Sequence, residues 1–196
     1  MNYLAHLYLA DHTGTSLAGS VLGDSVKGRL CGAYPPSIEL GIRLHRHIDS
    51  FTDTHPVVLN ACARFEGPLR RYAGILLDIY FDHLLAKQWI RLHAEPLQQF
   101  AKRVSTVIWQ QWPHPPLMQQ RLASFPEVLL SYGQSHGIAT ALQRVSQRAK
   151  RANPMVSALP LLESKHELLA QDFDAFFPEL IEFAEAEVSR LYSITN

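Results

Sequence analysis

One long apolar segment constrains the fold more than any other part of the sequence. After Gly67-Pro68 the chain reads LRRYAGILLDIYFDHLLAKQWIRLH, and its apolar residues cover most of the circumference of a helix. A helix that is apolar on nearly every side needs other elements packed around it. We therefore expect this helix to lie in the middle of the fold.

The remaining segments also have helical periodicity, and alternation typical of strands is scarce. Proline and glycine separate the segments. These patterns predict an all-α fold, a compact bundle of seven to nine helices in a single domain spanning residues 1–196. We expect one helix from Ser16 to near Lys27, a second beginning at Pro35-Pro36, and a break at WPHPP, residues 112–116.

Three helix ends are predicted from their capping residues. Asp53 or Thr54 is expected to cap the helix that has Pro56 in its first turn. Ser124 is expected to cap SFPEVLLSYG, which ends at Gly133. The basic segment ALQRVSQRAKR suits a helix C-terminus, and a last pair of helices is expected to divide near Pro178.

Composition excludes several classes of function. Lysine plus arginine equals aspartate plus glutamate at 18 each among 196 residues, so the net charge indicates neither nucleic acid nor an anionic membrane as partner. Cys31 and Cys62 form no paired motif, so we expect no disulfide framework. The opening MNYLAHLYLADH lacks a basic region, and no apolar run approaches the ~20 residues that cross a bilayer. We expect a cytoplasmic protein.

Histidine and aspartate recur at helical spacing in LHRHIDSFTD, residues 44–53. His45 and Asp49 are four residues apart and share an apolar stripe with Ile38 and Ile42, so they should face inward. His47 lies on the opposite side. The pair could be an ordinary contact between residues i and i+4, or part of a metal site.

The apolar segment repeats this arrangement with Asp78 and Asp82, followed by His83. Two carboxylates on one buried face repel each other and lose hydration. No arginine lies between Arg71 and Arg91, so a divalent cation is the predicted compensation. The alternative is a contact with Arg70, Arg71 or a distant arginine.

Two further candidates lie upstream, where His6 interrupts an apolar opening and Asp24 follows Gly23. Each also has an alternative structural role: His6 alone could be a hydrogen-bonded core histidine, Asp24 could bond backbone donors in a turn, and Asp53 could cap a helix. Together the groups suit Mn²⁺, Fe²⁺, Zn²⁺ or Mg²⁺, and the many carboxylates favour Mn²⁺ or Mg²⁺. The candidates are His6, Asp24, His45, Asp49, Asp53, Asp78, Asp82 and His83.

Four motifs in this order resemble the acyl carrier protein phosphodiesterase family, also called ACP hydrolases: NYLAHLYLA, GDSVKG, HRHIDSFTD and LDIYFDHLLAKQW. The resemblance implies an all-α fold related to the HD-domain metal-dependent phosphohydrolases. It also implies hydrolysis of the phosphodiester that joins 4′-phosphopantetheine to a serine of holo-acyl carrier protein, with Mn²⁺. The products are the apo-carrier protein and free 4′-phosphopantetheine.

This resemblance leads to a hypothesis for the site. The metal ligands are expected among Asp24, His45, Asp49, Asp78, Asp82 and His83. Asp24 is also a catalytic candidate, and His6 or His83 is expected to protonate the leaving serine oxygen. An acidic carrier protein is expected to contact Lys27, Arg46, Arg70, Arg71, Arg144 and Arg148. The alternatives are a phosphohydrolase for a nucleotide or another small phosphoester, and a non-catalytic helical binding module.

Overall fold

The structure is a computed structural model that describes residues 2–111 and 123–195. These residues form ten α-helices and no β-strand, which confirms the all-α prediction with more helices than the expected seven to nine. The helices are α1 Tyr3–His12, α2 Leu17–Leu22, α3 Pro36–Thr54, α4 Pro56–Ala63, α5 Ala73–Leu92, α6 Leu97–Gln111, α7 Phe125–Ser131, α8 Ser135–Arg148, α9 Leu159–Ser164 and α10 His166–Thr195. Short 3₁₀ helices span Gly67–Tyr72 and Met155–Ala158.

Helix α5 lies at the centre, as its apolar circumference predicts. It packs against α1, α4, α6, α8 and α10. Its aromatic residues Tyr80, Phe81 and Trp89 are buried, and Phe81 stacks on Phe176 of α10. Burial of this helix on several sides supplies much of the apolar area that stabilises the fold.

Helices α2 and α3 approach each other closely because glycines face each other where they cross. A Cβ atom on Gly19 would lie 2.4 Å from the carbonyl oxygen of Ile38, and one on Gly41 would lie 2.8 Å from that of Ser16. Only hydrogen fits at such distances. This crossing fixes the end of α2 against the middle of α3, where His45 and Asp49 lie.

The long helix α10 covers α3, α4 and α5. Phe183 stacks on Phe51 of α3 with ring centroids 4.2 Å apart. Asp172 pairs with Arg64 at the end of α4. The predicted division of this helix near Pro178 is wrong: the helix continues through Pro178, because the flanking Phe176, Phe177 and Leu180 are all buried and offset the lost backbone hydrogen bond.

Two other predicted helix ends are also wrong. The helix expected to reach Lys27 ends at Leu22, and the following loop is held to α3 by Arg46, whose guanidinium donates to the carbonyl oxygens of Val26 and Gly28 at 2.7 and 2.9 Å. Neither Asp53 nor Thr54 caps α4, since α3 continues through both. The residue before a proline prefers an extended backbone, so His55 forms the boundary ahead of Pro56.

Other predictions agree with the structure. Pro36 and Pro56 begin their helices, Ser124 occupies the cap position of α7, and Cys31 and Cys62 carry free thiols. The predicted break at residues 112–116 lies outside the described residues. Among the described helices, none is both long and apolar enough to cross a membrane.

Candidate metal centre

A cluster of His6, His45 and Asp49 joins α1 to α3. The Nε2 atom of His6 lies 3.0 Å from Oδ1 of Asp49, and the Nε2 atom of His45 lies 3.2 Å from Oδ2 of the same carboxylate. The two imidazole rings stack with centroids 3.8 Å apart and an interplanar angle of 18°. One carboxylate therefore bridges two buried histidines that are separated by 39 positions along the chain.

Asp24 brings a second carboxylate to the cluster from the loop after α2. Its Oδ1 lies 3.5 Å from Nε2 of His45, and its side chain is 56% exposed. The preceding Gly23 lies directly against the His45 ring: a Cβ there would be 2.2 Å from Cγ of His45. The missing side chain at Gly23 thus lets the end of α2 carry Asp24 up to the imidazole.

The two histidines have opposite electrostatic environments. Burial and, to a smaller extent, the neighbouring His45 lower the pKa of His6 to about 4. Burial also lowers the pKa of His45, but Asp24 and Asp49 outweigh it and raise this pKa to about 9. Burial opposes ionisation of Asp49, yet its close contacts with the imidazoles of His45 and His6 hold its pKa well below the ordinary value. At neutral pH the cluster holds one cationic imidazole between two carboxylates.

The donor atoms suit a divalent cation. One ligand atom each from His6, His45 and Asp49 can be chosen so that all lie within 4.8 Å of one another. The Nε2 atom of His45 is buried and makes no well-aligned hydrogen bond among the described residues, although two carboxylates lie near it. Two imidazoles with carboxylates are a common ligand set for divalent metals. The cluster fits a metal-dependent enzyme.

Asp82 and His83, two predicted metal ligands, lie outside the cluster of His6, His45 and Asp49. The carboxylate of Asp82 is fully buried and accepts the backbone N–H groups of Leu4 and Ala5 at 2.7 and 3.1 Å. It satisfies donors at the start of α1 that have no partner within the helix. The Nδ1 atom of His83 lies 2.6 Å from the carbonyl oxygen of Tyr132 and can donate to it. Neither residue belongs to the described cluster.

Asp78 and Asp53 also lie outside the cluster of His6, His45 and Asp49. Asp78 is half-buried on α5 and lines a large cavity that Asp24 also lines. Asp53 is exposed near the end of α3, and partial burial together with the charge of Asp78 raises its pKa. His47 faces away from the cluster, as its helical position predicts, and it pairs with Glu187 of α10.

The predicted basic residues fall into three places. Lys27 and Arg46 line a small cavity together with Asp24 and Asp49. The exposed Arg144 and Arg148 of α8 line the large cavity, with Asp24 at another part of its wall. The remaining pair, Arg70 and Arg71, lies on the 3₁₀ helix before α5, where Arg70 donates to the carbonyl oxygen of Cys62 and Arg71 lies over the ring of Tyr72.

The sequence does not reveal the role of Gly23, and it leaves the role of His6 open. The local pattern marks Gly23 only as the residue before Asp24 and does not show the close contact with His45 that the absence of a side chain allows. The sequence places His6 among the candidate groups but leaves open whether it is a ligand, a proton donor or a core residue, and in the structure its Nε2 atom lies among the candidate ligand atoms. An isolated histidine in an apolar helix was the only signal, and it does not distinguish a ligand from a core residue.

Comparisons with known proteins identify the family of this chain. The family model described as acyl carrier protein phosphodiesterase matches residues 1–180. A Yersinia pestis protein named acyl carrier protein phosphodiesterase is 34% identical over 94% of this chain and 98% of its own length. Proteins of the same name from Pectobacterium atrosepticum and Escherichia coli are 34% and 33% identical, over 95% and 94% of this chain and 99% and 97% of their own. No solved structure matches. The chain therefore belongs to the acyl carrier protein phosphodiesterase family.

Proposed function

We propose that this protein hydrolyses the phosphodiester between 4′-phosphopantetheine and a serine of holo-acyl carrier protein, releasing the apo-carrier protein and 4′-phosphopantetheine. The observation that carries the proposal is a buried histidine–aspartate cluster, bordered by cavities, in a chain that matches this family over nearly its whole length. Hydrolysis of a phosphodiester needs charge neutralisation and an activated water, and such a cluster can organise both.

The proposed cation ligands are His6, His45 and Asp49, with Asp24 beside them. We propose Mn²⁺ as the cation, with Mg²⁺ or another divalent metal as the alternative. A bound cation supplies Lewis-acid activation of water and neutralises charge on the phosphoryl oxygens. Asp82 is left out of this ligand set because both its oxygens accept backbone N–H groups. Asp78 is left out because it lies on the cavity wall outside the cluster.

The chain's own groups account for the proton transfers. Asp24 is ionised and exposed, so its carboxylate can orient the attacking water and accept a proton from it. The bond from phosphorus to the serine oxygen then breaks, and the serine oxygen takes up the proton that Asp24 accepted from the water, which returns Asp24 to its ionised form. Lys27, which lines the small cavity with Asp24, can neutralise the charge on this oxygen. His83 is left out because its Nδ1–H faces a carbonyl oxygen and its ring is buried.

We propose that basic side chains around the two cavities bind the acidic carrier protein. Lys27 and Arg46 border the small cavity, while Arg144 and Arg148 border the large one. Opposite charges on two protein surfaces accelerate association and fix orientation. Arg70 and Arg71 remain candidates at the edge of this surface, since both are exposed on the 3₁₀ helix.

The proposal is tested by incubating the protein with holo-carrier protein and Mn²⁺ and recording the mass of the carrier protein. We expect loss of the prosthetic group with the wild-type chain and none with Asp24→Asn. The exposed Glu66→Gln, which removes a carboxylate outside the described cluster, is the matched control and should retain activity. A nucleotide panel assayed in parallel tests the alternative substrate class. Unchanged holo-carrier protein after incubation with the wild-type chain would contradict the proposal.

A further inference from the structure

Two cavities of different size meet at Asp24. The larger has a volume of about 730 Å³ and lies between the start of α1, the end of α2, and helices α5, α7 and α8. The smaller has a volume of about 240 Å³ and lies between the loop after α2 and helix α3. Asp24 is the residue that lines both. A phosphodiester also has two arms that diverge from one phosphorus atom, and the two arms of the proposed substrate differ greatly in size.

The wall of the larger cavity combines apolar and polar groups. Its apolar part includes Ile75, Phe125, Val128 and Ala141, and Phe125 makes an edge-to-face contact with Tyr3 at 5.5 Å between ring centroids. Its polar part carries hydroxyl, carboxylate and guanidinium groups from Ser25, Asp78, Ser124, Ser131, Arg144 and Arg148. A pantetheine chain has a matching composition, with a dimethyl-substituted carbon and short alkyl links between a hydroxyl and two amides. Polar groups spaced along an apolar wall fix such a ligand by hydrogen bonds.

The size of the larger cavity also suits this chain. Its volume of about 730 Å³ falls within the range of roughly 300–1,000 Å³ that is usual for small-molecule sites. The smaller cavity, at about 240 Å³, lies below that range. Its wall has two glycines, Gly23 and Gly28, and carries the cations of Lys27 and Arg46 beside the carboxylates of Asp24 and Asp49. The glycines let the backbone of a partner protein approach closely, and Lys27 lies where it can contact the negative phosphodiester that the partner carries.

We propose that the phosphodiester lies at Asp24 with its pantetheine arm in the larger cavity and its serine, with the carrier protein, over the smaller one. This inference rests on the proposed function, and it assigns a separate binding site for the prosthetic arm. The bond that breaks then faces Lys27, and the departing 4′-phosphopantetheine stays in the larger cavity until it is released. Ala141 and Val128 line that cavity from two different helices, so a larger side chain at either position occupies the space of the arm.

The test is calorimetric titration of 4′-phosphopantetheine into the Mn²⁺-loaded protein, which requires no turnover. Ala141→Phe is the main variant and Val128→Phe an independent one on α7. Gln143→Phe, which places the same ring at an exposed position of α8 outside the cavity lining, is the matched control. We expect affinity to fall at least about tenfold in both cavity variants and to stay at the wild-type value in the control. Binding of inorganic phosphate, which has no arm, should be equal in all four proteins.

Unchanged affinity for 4′-phosphopantetheine in either cavity variant, with a melting temperature equal to that of Gln143→Phe, would overturn the inference. An equal loss of affinity for inorganic phosphate would also overturn it, because that result indicates damage at the cluster. A mass assay on holo-carrier protein separates the two proposals. If both cavity variants lose affinity for 4′-phosphopantetheine but the wild-type chain does not cleave holo-carrier protein, the proposed function fails and the binding site for the prosthetic arm stands. If the wild-type chain cleaves holo-carrier protein but the cavity variants keep their affinity for 4′-phosphopantetheine, only the binding site for the prosthetic arm fails.

Discussion

The substitution Gly23→Ala tests the contact that places Asp24 beside His45. The added Cβ would lie 2.2, 2.3 and 2.6 Å from the Cγ, Cδ2 and Cβ atoms of His45. Carbon atoms in contact are about 3.5–4.0 Å apart, so the imidazole must retreat by about 1 Å or more. His45 is 3.8 Å from the His6 ring and 3.2 Å from Asp49, so a shift of this size disrupts both contacts.

This crowding has an expected cost for stability and for metal binding. Overpacking a buried site costs about 1–3 kcal/mol of unfolding free energy. For a chain of this length each kcal/mol corresponds to a fall in melting temperature of roughly 2–4 °C. We expect Mn²⁺ affinity to fall by about 10–100-fold, as for other changes that displace a metal ligand indirectly.

The assays are thermal unfolding and Mn²⁺ titration, with Gly74→Ala as the matched control. Gly74 lies in α5, and a Cβ there meets no atom within 4 Å among the described residues. Replacing a helical glycine by alanine stabilises a protein by roughly 0.5–1 kcal/mol, so the control should melt slightly higher and bind Mn²⁺ normally. Wild-type Mn²⁺ affinity in Gly23→Ala would refute the reasoning.

Three further predictions concern other parts of the account. Asp82→Ala removes the acceptor for two buried N–H groups at the start of α1. Chemical denaturation should show an unfolding free energy lower by about 1–3 kcal/mol. An unchanged denaturation midpoint would show that these hydrogen bonds contribute nothing to stability. The pKa of His45 is raised to about 9, so this imidazole is protonated in the metal-free protein at pH 7.5. Metal uptake should therefore release one proton, measurable by calorimetric titration in buffers of different ionisation enthalpy, and metal affinity should rise with pH below 9. Metal uptake without proton release would contradict this prediction. The double variant Arg144→Glu/Arg148→Glu should raise KM for holo-carrier protein and weaken the dependence of KM on salt. The control Gln143→Glu should change KM less. An unchanged salt dependence in the double variant would remove both arginines from the docking surface.

Most helices were predictable because their signals are local. The central position of α5 follows from apolar residues around its circumference, and Pro36 and Pro56 mark helix starts. The continuation of α10 through Pro178 was not predictable from local signals. It depends on burial of the neighbouring phenylalanines against other helices, and the sequence does not show that packing.

The candidate site was predictable only in part. The pairing of His45 with Asp49 follows from their spacing within one helix. The compensation of Asp82 was expected to come from a cation, but it comes from backbone N–H groups 77 and 78 positions away. Periodicity shows which side chains share a helix face and does not show which backbone donors another helix brings to them. The same limit hid the contact between Gly23 and the ring of His45.

The central claim is that His6, His45 and Asp49 hold a divalent cation next to Asp24. Its most direct test is a Mn²⁺ titration followed by electron paramagnetic resonance, comparing the wild-type chain with His45→Ala and with His47→Ala. His47 lies two positions away on the same helix and pairs with Glu187, so it is the matched control. We predict one tightly bound Mn²⁺ in the wild type and in His47→Ala, and loss of that binding in His45→Ala. Equal Mn²⁺ binding by the wild type and His45→Ala, or no binding by the wild type, would contradict the claim.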